Sequence, residues 1–137
     1  MPHPTEVDAR ASHCWFNVDR VPGDPASTAW KRLARFRQAS WRQARDYPIG
    51  AQPYGGGDDS TPVGSRLALA YAKETGANFL TPAALAAARR RIANPERHEM
   101  LSANRLWADL LSSMPLCFNL FGDLDADPEH AARAVRA

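Results

Sequence analysis

Residues 100–124, reading MLSANRLWADLLSSMPLCFNLFGDL, form the densest apolar segment of the chain, and a fold has to be organised around them. In the first half Met100, Leu101, Leu106, Trp107, Leu110, Leu111 and Met114 recur at helical spacings, which predicts a core helix beginning at Pro95-Glu96. Arg105 and Asp109 stand one turn apart on its more polar edge, the spacing of an ion pair. The second half, 116–121, is apolar apart from Asn119, so periodicity alone does not separate a buried strand from a continuing helix. We read it as helix, with Pro115 a kink, Gly122 a stop, and Asp123, Asp125 and Asp127 a polar exit. Within such a run Cys117 is expected to be a buried, inert thiol. Asn119 needs hydrogen-bond partners, which backbone groups of a neighbouring segment would supply.

With 137 residues, 45% of them hydrophobic, the chain suits one domain with a real core rather than a disordered segment. Its two cysteines, Cys14 and Cys117, make neither a disulfide framework nor a metal-ligand pair, which points to a reducing cytoplasm. No apolar run approaches the roughly 20 residues of a membrane helix, and the opening MPHPTEVDAR lacks the basic and apolar regions of a signal peptide. The net charge of +2 argues only weakly for a nucleic-acid partner. Distribution says more, because 15 of the 17 basic residues are arginine. That bias suits phosphate recognition and also suits a GC-rich coding sequence.

In chain order, residues 1–26 carry Pro2, Pro4, Pro22, Pro25 and Gly23 with little periodicity and read as an irregular leader. His13-Cys14-Trp15-Phe16 is either a short strand or an anchor, and adjacent His and Cys without a second pair do not make a zinc site. A helix is expected from Ser27 or Thr28 to about Tyr47, with Trp30, Leu33, Ala34, Trp41 and Ala44 as its buried stripe. Lys31, Arg32, Arg35, Arg37, Arg42 and Arg45 occupy the remaining surface, and no acid occurs from residue 27 to 45. Residues 48–62 read as a loop, whose Gly55-Gly56-Gly57-Asp58-Asp59 tip is no phosphate loop, since two acids and no Lys-Ser follow the glycines. A second helix is expected from Gly64-Ser65 to Thr75, closed by Gly76. A third runs from the Thr81-Pro82 start signal to Ala93, with Leu85, Ala88 and Ile92 inward and Arg89, Arg90 and Arg91 suiting the negative end of the helix dipole. After the 100–124 helix, Asp127-Pro128 opens a fifth, which breaks off without a C-cap and suggests the front of a longer protein.

At LSSMPLCFNLFGDL, residues 111–124, the chain resembles an uncharacterised group of PD-(D/E)XK nuclease-like, restriction-endonuclease-like proteins. The resemblance extends back through RLWADLL from Arg105, through GANFLTPAALAAARRRIANPERHEM from Gly76, and through PIG at Pro48 and GSRL at Gly64. It implies a nuclease core placed after this region, with an aspartate on one strand and Glu-x-Lys on the next. In such chemistry carboxylates hold a divalent cation, the cation polarises the phosphate and acidifies a bound water, and lysine positions that water. This chain contains neither Glu-x-Lys nor Pro-Asp. The resemblance therefore implies no catalytic and no metal-binding residue here, although Mg2+ is expected in a complete nuclease. Asp109 and Glu99 are the positions at which a first-helix acid could join a metal site, with the Arg105 ion pair as the structural alternative for Asp109.

The expected fold is thus mainly α, about five helices in an orthogonal or irregular bundle: a 27–137 helical domain forming the N-terminal portion of a larger α/β nuclease-like protein. The expected function is that of a non-catalytic front segment contributing DNA-binding surface and core packing. Arg35, Arg37, Arg42, Arg45 and Arg66 are the candidate nucleic-acid contacts, DNA and the chain's own nuclease core are the candidate partners, and a membrane is not expected. The alternative is a non-enzymatic module that binds nucleic acid or an acidic protein through the 31–45 face.

Overall fold

The computed structural model describes residues 4–14, 29–51, 61–98 and 100–136. Within them the chain runs α1 (Glu6–Ala11), α2 (Ala29–Gln43), β1 (Ile49–Ala51), β2 (Pro62–Leu67), α3 (Leu69–Thr75), α4 (Pro82–Ala93), a π-helical turn (Asn104–Ala108), α5 (Ser113–Ala126) and α6 (Pro128–Arg136). The architecture is mostly helical, as expected, with one small antiparallel sheet that was not.

Local chemistry accounts for the starts of α1, α4 and α5. Thr5 and Asp8 form a reciprocal capping box at α1, so the stretch expected to be an irregular leader contains a helix. Thr81 Oγ1 accepts from the Ala84 amide and Pro82 occupies the first turn of α4, as the sequence implied. Ser112 caps α5 in the same way, accepting from the Met114 amide at 3.2 Å. The expected α2 start at Ser27 or Thr28 lies outside the described residues, as do Trp15-Phe16 and the Gly55 to Asp59 tip.

Three further corrections concern whole elements. The helix expected from Gly64-Ser65 is instead β2, followed after Ala68 by the short α3. β2 pairs with β1 on one side, inside the expected 48–62 loop. On the other side it accepts an Arg66–Asp109 bridge and a hydrogen bond from the Leu110 amide to the Ser65 carbonyl at 3.1 Å. Backbone partners on both edges favour an extended chain, and every residue from Val63 to Leu67 is buried.

The helix expected from Pro95-Glu96 is also broken up. Asp109 is extended at that bridge, which ends the π-helical turn and forces a new start at Ser113. Pro115 then falls in the first turn of α5, where its missing N–H costs nothing, so it starts a helix rather than kinking one. Gly122 does not stop α5. It lies inside the helix against α4, where an added Cβ would sit 2.5 Å from the Ala84 Cα, so glycine permits the closest approach of the two helices.

The third correction concerns α2, whose buried face holds Arg35, Ala39 and Arg42, while Trp30 is 71% exposed. The stripe is rotated because the arginines find acceptors inside. Arg42 donates to the Gly64 carbonyl at 3.1 Å and to the Tyr47 carbonyl at 2.8 Å.

The main core gathers Leu67, Ala72, Leu106 and Trp107, with Tyr47, Phe79, Leu85 and Phe118 packed around them. Phe79 meets Trp107 edge-on at 5.3 Å. A smaller cluster of Ala9, Cys14 and Ala39, backed by Phe36, packs α1 onto α2. Asn119 finds the expected backbone partners: its Oδ1 accepts from the Leu80 amide at 2.8 Å, and its Nδ2 donates to the Asn78 carbonyl at 3.0 Å. Cys117, expected to be buried, is exposed on α5. Ile92, expected to face inward, is 39% exposed.

Candidate functional site

The break between the π-helical turn and α5 opens a depression lined by both polar and apolar side chains. It is a cleft of about 890 Å3, bounded by Arg35 of α2, Ser65 of β2, residues 100–102, Arg105, Asp109, and Leu111 to Ser113 at the head of α5. The π-helical turn matters because its wider loop displaces Arg105 and Asp109 from the register that a regular helix would give them. They were expected to pair with each other, but Asp109 Oδ2 is bound by Arg66 at 3.1 Å. Asp109 Oδ1 accepts from the Leu111 amide, also at 3.1 Å. The Arg66 and Asp109 side chains are 5% and 18% exposed, so the pair is largely withdrawn from water.

The five candidate nucleic-acid contacts divide into two sets. Arg35, Arg42 and Arg66 are buried, at 5%, 7% and 4% exposure. Arg42 is held by two carbonyls, and burial pushes its guanidinium below its ordinary pKa. Arg66 is committed to Asp109, and Arg35 forms one wall of the cleft. Arg37 and Arg45 are exposed. They lie four residues either side of half-buried Trp41, Arg37 on α2 and Arg45 in the turn after it, on one stripe that also includes exposed Trp30. Arg45 stacks over the Trp41 ring with its guanidinium carbon 4.3 Å from the centroid. The stripe presents alternating indoles and guanidinium groups.

The arginine triplet on α4 is used internally. Arg90 pairs with Asp125 at 2.6 Å, Arg91 with Glu96 at 2.8 Å, and Arg89 reaches the Glu74 carbonyl at 3.4 Å. The Arg91 guanidinium holds the Glu96 carboxyl below its usual range.

Residues 24–137 match the family model described as the PD-(D/E)XK nuclease superfamily. The chain belongs to that superfamily. Comparison with curated proteins and with solved structures gave no match. Membership implies a divalent cation, yet among the described residues no group of three or more His, Cys, Asp or Glu could hold one. Among the described residues lining the cleft Asp109 is the only carboxylate, and both its oxygens are engaged by Arg66 and Leu111. These residues do not fit a metal centre. Glu99, the other acid considered, lies outside the described residues. No helix among the described residues is long and apolar enough to cross a membrane.

Sequence reasoning missed the cleft itself. Ser65, Ser102 and Ser112 line it, and of these only Ser112 carried a local signal, as a serine placed to cap a helix that has proline in its first turn.

Proposed function

We propose that this chain is a non-catalytic helical segment of a metal-dependent PD-(D/E)XK nuclease, contributing a DNA-contacting face and packing for the catalytic core. The observation that carries the DNA-contacting part is the stripe of exposed Trp30, Arg37 and Arg45 around half-buried Trp41, on α2 and the turn that follows it. Guanidinium groups suit phosphate oxygens, and a tryptophan beside them suits an unstacked base or a sugar face. Stacking of Arg45 on Trp41 limits the freedom of its guanidinium before binding, which reduces the entropy cost of the contact.

The non-catalytic part rests on the absence of Glu-x-Lys and Pro-Asp from the 137 residues, and on an Asp109 whose oxygens are already engaged. The Mg2+ site of the complete nuclease would then be built from carboxylates other than those described. Two cysteines outside any disulfide suit a cytoplasmic protein.

The test is DNA binding by this chain as a function of salt. A log–log salt dependence is expected, and Arg37→Glu with Arg45→Glu should weaken binding and reduce the slope by about 2. Binding indifferent to salt, or to both charge reversals, would refute the DNA face. Reading the coding sequence beyond Ala137 tests the catalytic assignment, for which a strand, an aspartate and Glu-x-Lys are expected. A stop codon there would remove nuclease chemistry from the polypeptide.

A second reading is a protein-interaction module. It draws on exposed Leu116, Leu120 and Phe121 of α5, at 52%, 58% and 60% exposure, which form an apolar strip beside Cys117.

A further inference from the structure

We infer that the outward face of α5 is a docking surface for a second copy of this chain, packed antiparallel, α5 against α5, about a twofold axis. The inference rests on the protein-interaction reading of that strip and names its partner. A surface helix ordinarily turns an apolar stripe inward and a polar face to water. In α5 the inward side holds buried Pro115 and Gly122, the latter against Ala84 of α4, yet Leu116, Leu120 and Phe121 on the other side are more than half exposed. At 3.6 residues per turn Ser113, Leu116, Cys117, Leu120, Phe121 and Leu124 fall within an arc of roughly 140°, centred opposite Pro115 and Gly122 and free of any charged residue of the helix.

The order of residues along the strip points to a second copy. A twofold interface has to be complementary to itself, so that where residue i meets residue j, j also meets i. With two α5 helices laid antiparallel about the point midway between Phe118 and Asn119, Leu116 of one copy comes level with Phe121 of the other, Cys117 with Leu120, and Ser113 with Leu124. Every member of the strip then meets another member. At two of these three levels a small side chain faces a large one, which lets the two surfaces interdigitate.

Charge favours the same orientation. α5 has no acid in its first turn and no base in its last, and Asp123, Asp125 and Asp127 gather at its tail, against the negative end of the helix dipole. Arg90 compensates Asp125 at 2.6 Å, whereas Asp123 accepts from the neutral Thr81 hydroxyl at 2.9 Å and keeps its charge at the edge of the strip. Antiparallel packing brings that carboxylate level with the positive N-terminal end of the other α5; parallel packing would set the two acidic tails side by side. The 14-residue contact is about 21 Å long and one helix wide, smaller than the roughly 800 Å2 per partner of a standard interface, so a weak dimer is expected, with a dissociation constant of about 10–100 µM.

The experiment is sedimentation equilibrium of the reduced 137-residue chain from about 5 to about 500 µM. A monomer–dimer equilibrium is expected. Leu120→Glu changes a 58% exposed residue in the middle of the strip and should weaken the dimer about tenfold or more, with the melting temperature retained. Arg37→Glu with Arg45→Glu should leave it unchanged. A short bismaleimide cross-linker reads the orientation in a Cys117→Ser background, where the remaining Cys14 is buried. There Ser113→Cys mixed with Leu124→Cys should give cross-linked dimer, and Ser113→Cys alone none. A monomer at about 500 µM, a dimer indifferent to Leu120→Glu, or Ser113→Cys cross-linking to itself would each overturn the antiparallel pair. Anilinonaphthalene sulfonate fluorescence separates that failure from failure of the interaction reading. Dye lit by a monomeric parent and dark with Leu120→Glu would give the strip to a different protein, and dye dark with both would mean the strip is covered by its own chain and sink the interaction reading as well.

Discussion

Replacing Asp109 by asparagine tests what holds the centre of this molecule together. The carboxylate accepts from Arg66 at 3.1 Å and from the Leu111 amide at 3.1 Å, and it lies at the isolated bridge joining β2 to the segment before α5. Asparagine keeps the shape and one acceptor oxygen, so the Leu111 hydrogen bond can survive. What is lost is the charge facing Arg66, whose side chain is 5% exposed. Breaking a buried ion pair by removing one partner costs about 3–5 kcal/mol, because the remaining charge stays desolvated. Asp109 keeps some solvent contact, at 18% side-chain exposure, which places the expected loss near the lower end, about 3 kcal/mol.

For a domain of this size that loss corresponds to a fall of roughly 10 °C in melting temperature. Urea unfolding should show the same loss as a lower midpoint with an unchanged slope. The double variant Arg66→Met with Asp109→Leu should recover most of the stability, since both charges are then absent, and the cycle should return a coupling of about 2 kcal/mol or more. The effect should be the same with and without added magnesium. An Asp109→Asn protein within about 0.5 kcal/mol of the parent, or a loss appearing only when magnesium is present, would refute the anchoring role and favour a metal ligand.

Gly122→Ala should destabilise despite alanine's better helix propensity, because its Cβ would lie 2.5 Å from the backbone of Ala84; about 1–2 kcal/mol by thermal unfolding is expected, and a rise in stability would show that α4 and α5 are less tightly apposed. Acid should loosen α1 selectively. The Thr5 hydroxyl and amide hold the Asp8 carboxyl below its usual range, so its stabilising contribution is complete above the unfolded value near 4 and is lost as pH falls through the lower folded value. Amide hydrogen exchange in residues 6–11, corrected for intrinsic rates, should therefore accelerate below about pH 4 in the parent and lose that extra pH dependence in Asp8→Asn.

The helical class and the start of α4 were legible because capping is short-range: Thr81 meets the Ala84 amide within one turn of chain. The Thr5–Asp8 capping box of α1 is equally local and was missed among the prolines of the leader. Asn119 was legible for a different reason: an amide within an apolar run has to find partners, even though the sequence did not name the Leu80 and Asn78 backbone groups it uses. Of the five arginines read as nucleic-acid contacts, Arg37 and Arg45 are on the surface. Arg35, Arg42 and Arg66 are inside, because whether an arginine is buried depends on acceptors elsewhere, such as the Gly64 and Tyr47 carbonyls that receive Arg42.

The apolar stretch at 100–124 marks the boundary between the two kinds of information. Its apolar composition determined that it would take part in the core, while helix rested on the spacing of its first half and on the reading of Pro115 in its second. Tertiary structure decided where it breaks. Asp109 pairs with a residue 43 positions earlier, and that bridge divides one expected helix into a π-helical turn and α5. It also decided that Gly64 to Leu67 would be strand, since extended backbone there is stabilised by partners on both edges that lie outside any local window. The cleft arises from the same break, and that is why no reading of neighbouring residues could have drawn it.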